Sequence, residues 1–317
     1  MKYWTKTPGT GGKVLSEDDF VVSELPAKKF LTKYERKNGR VSPVSGPFFL
    51  YRLKKRGMTT KAAVDFVRHK FDLNEIGFAG LKDKHAVTSQ YITTRRQVEG
   101  FESDKLSLKF VSPCKNMMQV GELEGNSFCI TLHGCRRPEN AKKIIKELEK
   151  GMPNYFGPQR FGLHGNHDIG RLILKKDYNS ALNKIGVDIQ SVDKKTIKFY
   201  LHAYQSFAFN SVLDKYIKKY SKPIFNDIPL VGFDTKLKND FFGKETNRIL
   251  KADGISVKNF QIHDLAITCR GSQRAPFIMV KNISYEIKED GRSVVVLNFE
   301  LPKGSYATVV IREITKK

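Results

Sequence analysis

The chain has little of what would mark a membrane, redox or metal protein. No apolar run is long enough to cross the hydrocarbon core of a bilayer. The opening residues Met1-Lys2-Tyr3-Trp4-Thr5-Lys6 lack the apolar centre of a signal peptide. Only four cysteines occur in 317 residues (Cys114, Cys129, Cys135 and Cys269), and their spacing fits no zinc knuckle, Cys-x-x-Cys pair or disulfide framework. They read as reduced, partly buried thiols of a cytoplasmic protein. The seven histidines are scattered; His164 and His167 form the one close pair, without an acidic or thiol cluster, so no metal is expected. No internal repeat, low-complexity tract or cofactor motif is evident. Acidic residues are scarce beside basic ones, 33 against 56, for a formal net charge of +23 at pH 7. A field of that sign and size favours polyanions and opposes self-association. It points to a monomer whose partner is nucleic acid. An anionic membrane surface is the weaker alternative, because no long amphipathic segment with a basic face supports it.

What is present begins with length: 317 residues suffice for two packed units with a substantial core. The stretch Gly77-Phe78-Ala79-Gly80-Leu81-Lys82-Asp83-Lys84-His85-Ala86-Val87-Thr88-Ser89-Gln90 is the most informative. Apolar Phe71, Leu73, Ile76 and Phe78 lead in, and β-forming Tyr91-Ile92-Thr93-Thr94 leads out, leaving a polar turn around one carboxylate. Gly77 and Gly80 permit a bend or a close backbone approach. Asp83, with Lys82 and Lys84 beside it and His85 next, is a carboxylate among cations, which suits a nucleophile. A solvated surface loop would look much the same.

Elsewhere, Lys13 to Glu24 reads as a polar turn followed by a short strand, with Phe20 either a pocket residue or a core aromatic. Residues 25–46, with Lys28, Lys29, Lys33, Arg36, Lys37 and Arg40 among Gly and Pro, read as an exposed mobile loop, either simply solvated or able to touch phosphates. Phe48 to Leu53 is a strand, and Thr59 or Thr60 caps a helix with apolar Val64, Val67 and Phe71. Leu106, Leu108 and Phe110 alternate, as do Phe128, Ile130 and Leu132, so each set belongs to a half-buried strand; Gly121 and Gly125-Asn126 connect them. Ala141, Ile144, Ile145 and Leu148 form a helical stripe. Residues 151–162 mix aromatics, Asn154 and Arg160 among glycines, which suits base stacking and edge reading or a turn with core aromatics. A helix opens at Ala203, the region 221–275 reads as loop-rich, and Tyr285–Lys288 and Val294–Phe299 flank a hairpin turn at 289–292.

Several of these stretches resemble the TruD family of pseudouridine synthases. Gly80 to Gln90 matches that family's catalytic loop. Asp19-Phe20-x-Val22-x-Glu24, Asn154-Tyr155-Phe156-Gly157-x-Gln159-Arg160-Phe161-Gly162, Ala203-x-x-Ser206-x-x-Phe209-Asn210 and Pro302-x-Gly304-Ser305-Tyr306-Ala307-Thr308 match further signatures in family order. The resemblance implies an α+β fold: a catalytic core with a mostly antiparallel mixed sheet flanked by helices, at residues 1–177 and 276–317. An α/β TRUD domain is inserted at 178–275, shorter than usual, and a positively charged cleft holds RNA. It implies isomerisation of uridine to pseudouridine, most simply at position 13 of tRNA, with no cofactor. Asp83 is then the catalytic carboxylate, acting on the ribose or on C6 of the base. Phe20, Asn154, Phe156 and Tyr306 contact the uridine, and Lys13 is the cation near the nucleophile. The chain departs from the family pattern in two places: Lys13 stands about one residue further from Phe20, and Asn116-Met117-Met118-Gln119 lacks the usual basic residues. A synthase acting on another RNA, and a non-catalytic RNA-binding protein or chaperone of the same fold, are the alternatives; retention of Asp83 argues against the latter. A nuclease or other hydrolase would need paired carboxylates or histidine clusters that the sequence lacks.

Overall fold

Alternating apolar residues and a few capped helices build two units. The structure, a computed structural model, describes residues 1–32, 34–37, 40–162, 165–187, 189–290 and 292–317. Lys33 and His164, named above, and residue 291 of the expected hairpin turn lie outside these. One unit comprises Met1–Thr7, Lys146–Met279 and Ser305–Lys316; the other comprises Pro8–Ile145, Val280–Gly304 and Lys317. The sheet unit is the one that carries Asp83, and the helical unit the one that carries Phe156.

The sheet unit is organised on a ten-stranded sheet. Its strands are β1 (Gly11–Lys13), β2 (Phe20–Pro26), β3 (Phe48–Lys55), β4 (Ile76–Phe78), β5 (Val87–Thr94), β6 (Phe101–Glu102), β7 (Leu106–Cys114), β8 (Leu123–Cys135), β9 (Lys281–Asp290) and β10 (Arg292–Pro302). The order is β9-β10-β8-β2-β5-β3-β7-β6, with β1 added to β8 and β4 to β5. Every pair is antiparallel except β2 with β5, where Val21, Val22 and Ser23 face Val87, Thr88 and Ser89 in parallel. Successive residues of a strand point to opposite faces, and in β3 both faces are covered. Tyr51 and Leu53 join a core with Val64, Val67 and Ile92, whereas Leu50 joins Phe30, Tyr91 and Met118. Helix α1 (Thr60–Lys70) supplies Val64 and Val67, and Thr59 caps it by accepting the Ala62 N–H at 3.1 Å. Burying each such side chain contributes about 1.5–3 kcal/mol.

The alternation of Leu106 and Leu108 breaks at Phe110, which is 38% exposed. A bulge between Leu50 and Tyr51 in the β3–β7 register shifts the pairing there. Gly125 lies within β8, not in a turn, and a Cβ there would fall 2.1 Å from the Leu301 carbonyl oxygen. At the C-terminal hairpin the pairing extends to Asp290 opposite Arg292. The stretch read as a mobile basic loop contains a helical turn, Lys28–Leu31, and a ladder of Tyr34–Lys37 with Arg40–Pro43.

Helix α2 (Asn140–Leu148) buries the stripe of Ala141, Ile144, Ile145 and Leu148, and the division between the units falls within it. The helical unit contains α3 (Asn166–Leu174), α4 (Tyr178–Ile185), α5 (Lys194–Tyr220), α6 (Phe241–Ala252) and α7 (Ala307–Thr315). One core takes Ile169 and Ile173 from α3, Leu201, Tyr204 and Ala208 from α5, and Ile249 and Leu250 from α6. Contact density therefore divides the chain near 146 and 279, away from the 178 and 275 drawn for an insertion, because α3 already packs with α5. Helix α6 lies inside the region read as loop-rich; Asp240 caps it by accepting the Gly243 N–H at 2.8 Å. Among the described residues no helix is long and apolar enough to cross a membrane.

Candidate active site

The turn between β4 and β5 carries Asp83, and short-range contacts fix its backbone. Gly77 is required by space: a Cβ would come 2.4 Å from the Met118 carbonyl oxygen and 2.6 Å from Thr93 Oγ1. Met118 is held against this spot by donating its N–H to Thr93 Oγ1 at 2.8 Å. The stretch that lacks the family's basic residues is thus part of the packing over β4. Gly80 has no such constraint, since a Cβ there would meet only Lys82 Nζ at 3.8 Å.

Thr60, buried at the start of α1, accepts the Lys82 N–H at 2.8 Å and donates to Gln90 Oε1 at 2.9 Å. Lys82 turns its ammonium inward to Glu24 of β2, 2.6 Å away, where both side chains are nearly sealed from water. The second Glu24 oxygen accepts the Tyr91 N–H. Lys55, at the end of β3, donates to the Asp83 backbone carbonyl at 2.7 Å and to the Met58 carbonyl at 2.7 Å. The Asp83 side chain is exposed, as are Lys84 and His85. His85 Nδ1 stands 3.4 Å from Glu17 Oε1. The cations of this loop are therefore not equivalent. Lys82 serves Glu24, and the buried ammonium that bonds to the Asp83 backbone is Lys55, just past the strand read at Phe48 to Leu53. Lys13 is exposed at the end of β1, paired in register with His133.

Phe20 opens β2 and is half-buried, its ring edge-on to Phe128 with centroids 6.3 Å apart. It shares a strand face with Val22 and Glu24, and Glu24 is the residue that anchors Lys82. The acidic turn before it is also tied down. Asp19 accepts from the Leu15 and Ser16 N–H groups and lies 2.8 Å from His133 Nε2, and Asp18 pairs with Arg56. Burial alone would raise the Asp19 carboxyl, but His133 and the two backbone donors outweigh it and hold the group below its ordinary value.

The helical unit gathers the other three predicted residues. Met152–Pro153 pairs with Phe277–Ile278, and the next residue, Asn154, donates its N–H to the Pro276 carbonyl at 2.8 Å. Tyr155 points into the core and donates its hydroxyl to Asp214 at 2.6 Å; burial, with that carboxylate, pushes its ionisation up. Phe156 is clamped by Asn210 of α5, whose Oδ1 accepts the Phe156 N–H and whose Nδ2 donates to the Phe156 carbonyl, both at 2.9 Å. The Phe156 ring meets Phe209 edge-on at 5.6 Å and Tyr306 at 6.0 Å. Tyr306 directly precedes α7 as its N-terminal flanking residue. Gly157 makes room for this packing: a Cβ would sit 2.8 Å from the Tyr306 ring and 2.7 Å from Thr308 Oγ1.

Arg274 completes the cluster and was missed. Its guanidinium lies 4.0 Å from the Phe156 ring centroid, and its donors reach the Asn154 carbonyl and Asn154 Oδ1 at 2.8–3.1 Å. Asn154 Nδ2 donates to the Ala275 carbonyl at 2.9 Å. Burial lowers the guanidinium to about 10, partly offset by Tyr306, which leaves it cationic at neutral pH. The arrangement provides an aromatic wall (Phe156, Tyr306), a half-buried cation stacked on it, and an amide whose atoms are held by Arg274 and Ala275.

The family model described as tRNA pseudouridine synthase D (TruD) matches residues 1–189 and 220–314. A probable tRNA pseudouridine synthase D of Thermococcus sibiricus is 28% identical over 427 aligned positions, covering 100% of this chain and 97% of the relative, which is the longer protein. The tRNA pseudouridine synthase D of Aquifex aeolicus is 27% identical, covering 85% of this chain and 92% of the relative. A crystal structure from Methanosarcina mazei, titled as a TruD protein, superposes with a TM-score of 0.77 over 100% of this chain and 96% of that one. At 23% identity this likeness concerns the α+β fold.

Proposed function

The chain belongs to the TruD family and is a tRNA pseudouridine synthase, and from that premise we propose that it converts uridine 13 in the D arm of tRNA, with Asp83 as its catalytic carboxylate. The reaction breaks the N-glycosidic bond, turns the uracil and joins its C5 to C1′ of the same ribose, while the C5 hydrogen leaves to water. Nothing is oxidised or reduced and no group is donated, so the chemistry itself calls for no cofactor. Asp83 acts on C1′ of the ribose or on C6 of the base. The uracil must first leave its stack, at a cost of a few kcal/mol, and phosphate contacts from the basic surface offset that cost. Phe156, Tyr306 and Phe20 enclose the base and Asn154 serves its polar edge; because Arg274 bonds Asn154 Oδ1, the amide is presented in one orientation. The protein acts as a monomer, kept apart from other copies by its net charge of +23.

The observation that carries this reading is an exposed carboxylate on a backbone held by three buried partners, Thr60, Glu24 through Lys82, and Lys55. A solvated surface loop needs no such anchorage; a nucleophile that must be preorganised does. Incubation with tRNA carrying 5-tritiated uridine should release tritium to water, and mapping should find pseudouridine at position 13. Release with the modification at another position would keep the activity and discard the site; no release from any tRNA would discard both.

A further inference from the structure

Lys55 occupies a position that a lysine rarely takes. Along β3 the side chains of Tyr51, Leu53 and Lys55 share one face and Arg52 and Lys54 the other; the first is the core face, and Lys55 is 1% exposed. An ammonium there is costly unless its donors are bonded. Two of its three donors reach carbonyl oxygens, those of Met58 and Asp83. Met58 directly precedes Thr59, the cap of α1, so one side chain ties the start of that helix to the backbone of the residue bearing the carboxylate. The charged groups facing Lys55 are Asp83 and Glu17, which favour its cationic form, and Lys82, which opposes it. Lys54, Arg56, Glu102, Asp104 and Lys105 line a cavity of about 80 Å³ with it.

We propose that Lys55 is a positioning residue for Asp83: its protonated ammonium fixes the Asp83 backbone against the start of α1, and loss of that proton slows the chemical step without releasing RNA. The proposal rests on the reading of Asp83 given above. Burial is the main force on the ammonium and pulls it from 10.5 to about 8, so its proton leaves within an assayable range. The cation is the active form, and the rate therefore falls as pH rises through about 8. Stability runs the other way. The unfolded chain holds this proton up to 10.5, so between about 8 and 10.5 the group makes the fold more stable as pH rises. A falling rate in that window is not unfolding driven by Lys55.

The test is single-turnover tritium release at saturating tRNA across this pH range, for the wild type, Lys55→Met and Glu17→Gln, with RNA affinity measured beside it. The wild type should show an alkaline limb centred near pH 8. Lys55→Met should be slower at neutral pH on the order of 10²-fold, as a misplaced catalytic group would be. It should lack that limb and bind RNA within a few-fold of the wild type. Glu17→Gln removes a charge that favours the cation, and so should move the limb to lower pH, which keeps the proposal exposed if Lys55→Met fails to fold. A Lys55→Met enzyme as fast as the wild type, or a limb unmoved in both variants, overturns the proposal alone. Absence of tritium release from the wild type at every pH overturns the reading of Asp83 and this proposal with it.

Discussion

Asp83 stands exposed on a turn anchored by charged groups, whereas Phe156 is buried on a segment anchored by neutral amides and rings. In the first region a lysine–glutamate pair, a buried ammonium and a threonine hydroxyl hold the backbone. In the second the work is done by two reciprocal amide hydrogen bonds from Asn210 and by contacts with Phe209 and Tyr306, with Arg274 stacked on the outside. The difference follows from the chemistry each serves. A carboxylate that acts on a nucleotide must reach solvent-side substrate and needs positive charge around its backbone. A ring that holds a base needs rigidity, which the neutral amide bonds and ring contacts supply, and the Arg274 cation stacks on it at 4.0 Å.

The comparison is broken most severely by removing one partner of the buried pair. Glu24→Gln leaves the Lys82 ammonium without its carboxylate in a nearly sealed site, which should cost about 3–5 kcal/mol of stability. Chemical denaturation should register this as a lower midpoint with an unchanged slope; a loss below about 1 kcal/mol, the range of surface pairs, would mean the site is wetter than its exposure indicates. The matching cut in the other region is Asn210→Ala. It strands the Phe156 N–H and carbonyl in a buried place, for about 1–3 kcal/mol, and should lower turnover more than RNA affinity, since the ring is no longer fixed. A variant with wild-type stability would show that Asn210 is not the clamp.

Acid provides the mildest separation. Asp19 is held below 3.8 by His133 and two backbone donors against the opposing effect of burial. Its contribution is therefore complete above 3.8 and is lost as pH falls through the lower folded value, at about 1 kcal/mol. Hydrogen exchange at the Leu15 and Ser16 amides should accelerate in that acid window while the Phe156 amide, bonded to a neutral side chain, does not respond. Equal acceleration of both would erase the distinction between the regions.

Much of this was legible in the sequence, and what was not has physical reasons. The Asp83 turn, the Phe156 segment and Tyr306 were visible as motifs, and the stripes of α1 and α2 as periodicity. Lys55 was hidden because three consecutive cations look solvated. Only the alternation of Tyr51, Leu53 and Lys55 assigns it to the core face, and that signal competes with the usual cost of burying an ammonium. Arg274 was hidden in a stretch of turn-forming residues whose order comes from tertiary partners: Asn154 lies 120 positions away. Lys13 was legible only through the family resemblance, whereas Lys55 is placed beside the Asp83 backbone by its hydrogen bond to that carbonyl. Helix α6 was missed because Pro, Gly, Asp and Lys around it read as loop, although its Asp240 cap was present.

The central claim is that the carboxylate of Asp83 performs the chemistry while other groups hold the RNA, and replacing Asp83 by asparagine addresses it directly. The change is nearly isosteric at an exposed position, so the fold should survive it. Tritium release from 5-tritiated uridine tRNA should vanish while RNA affinity stays within a few-fold of the wild type; turnover retained by Asp83→Asn would contradict the account.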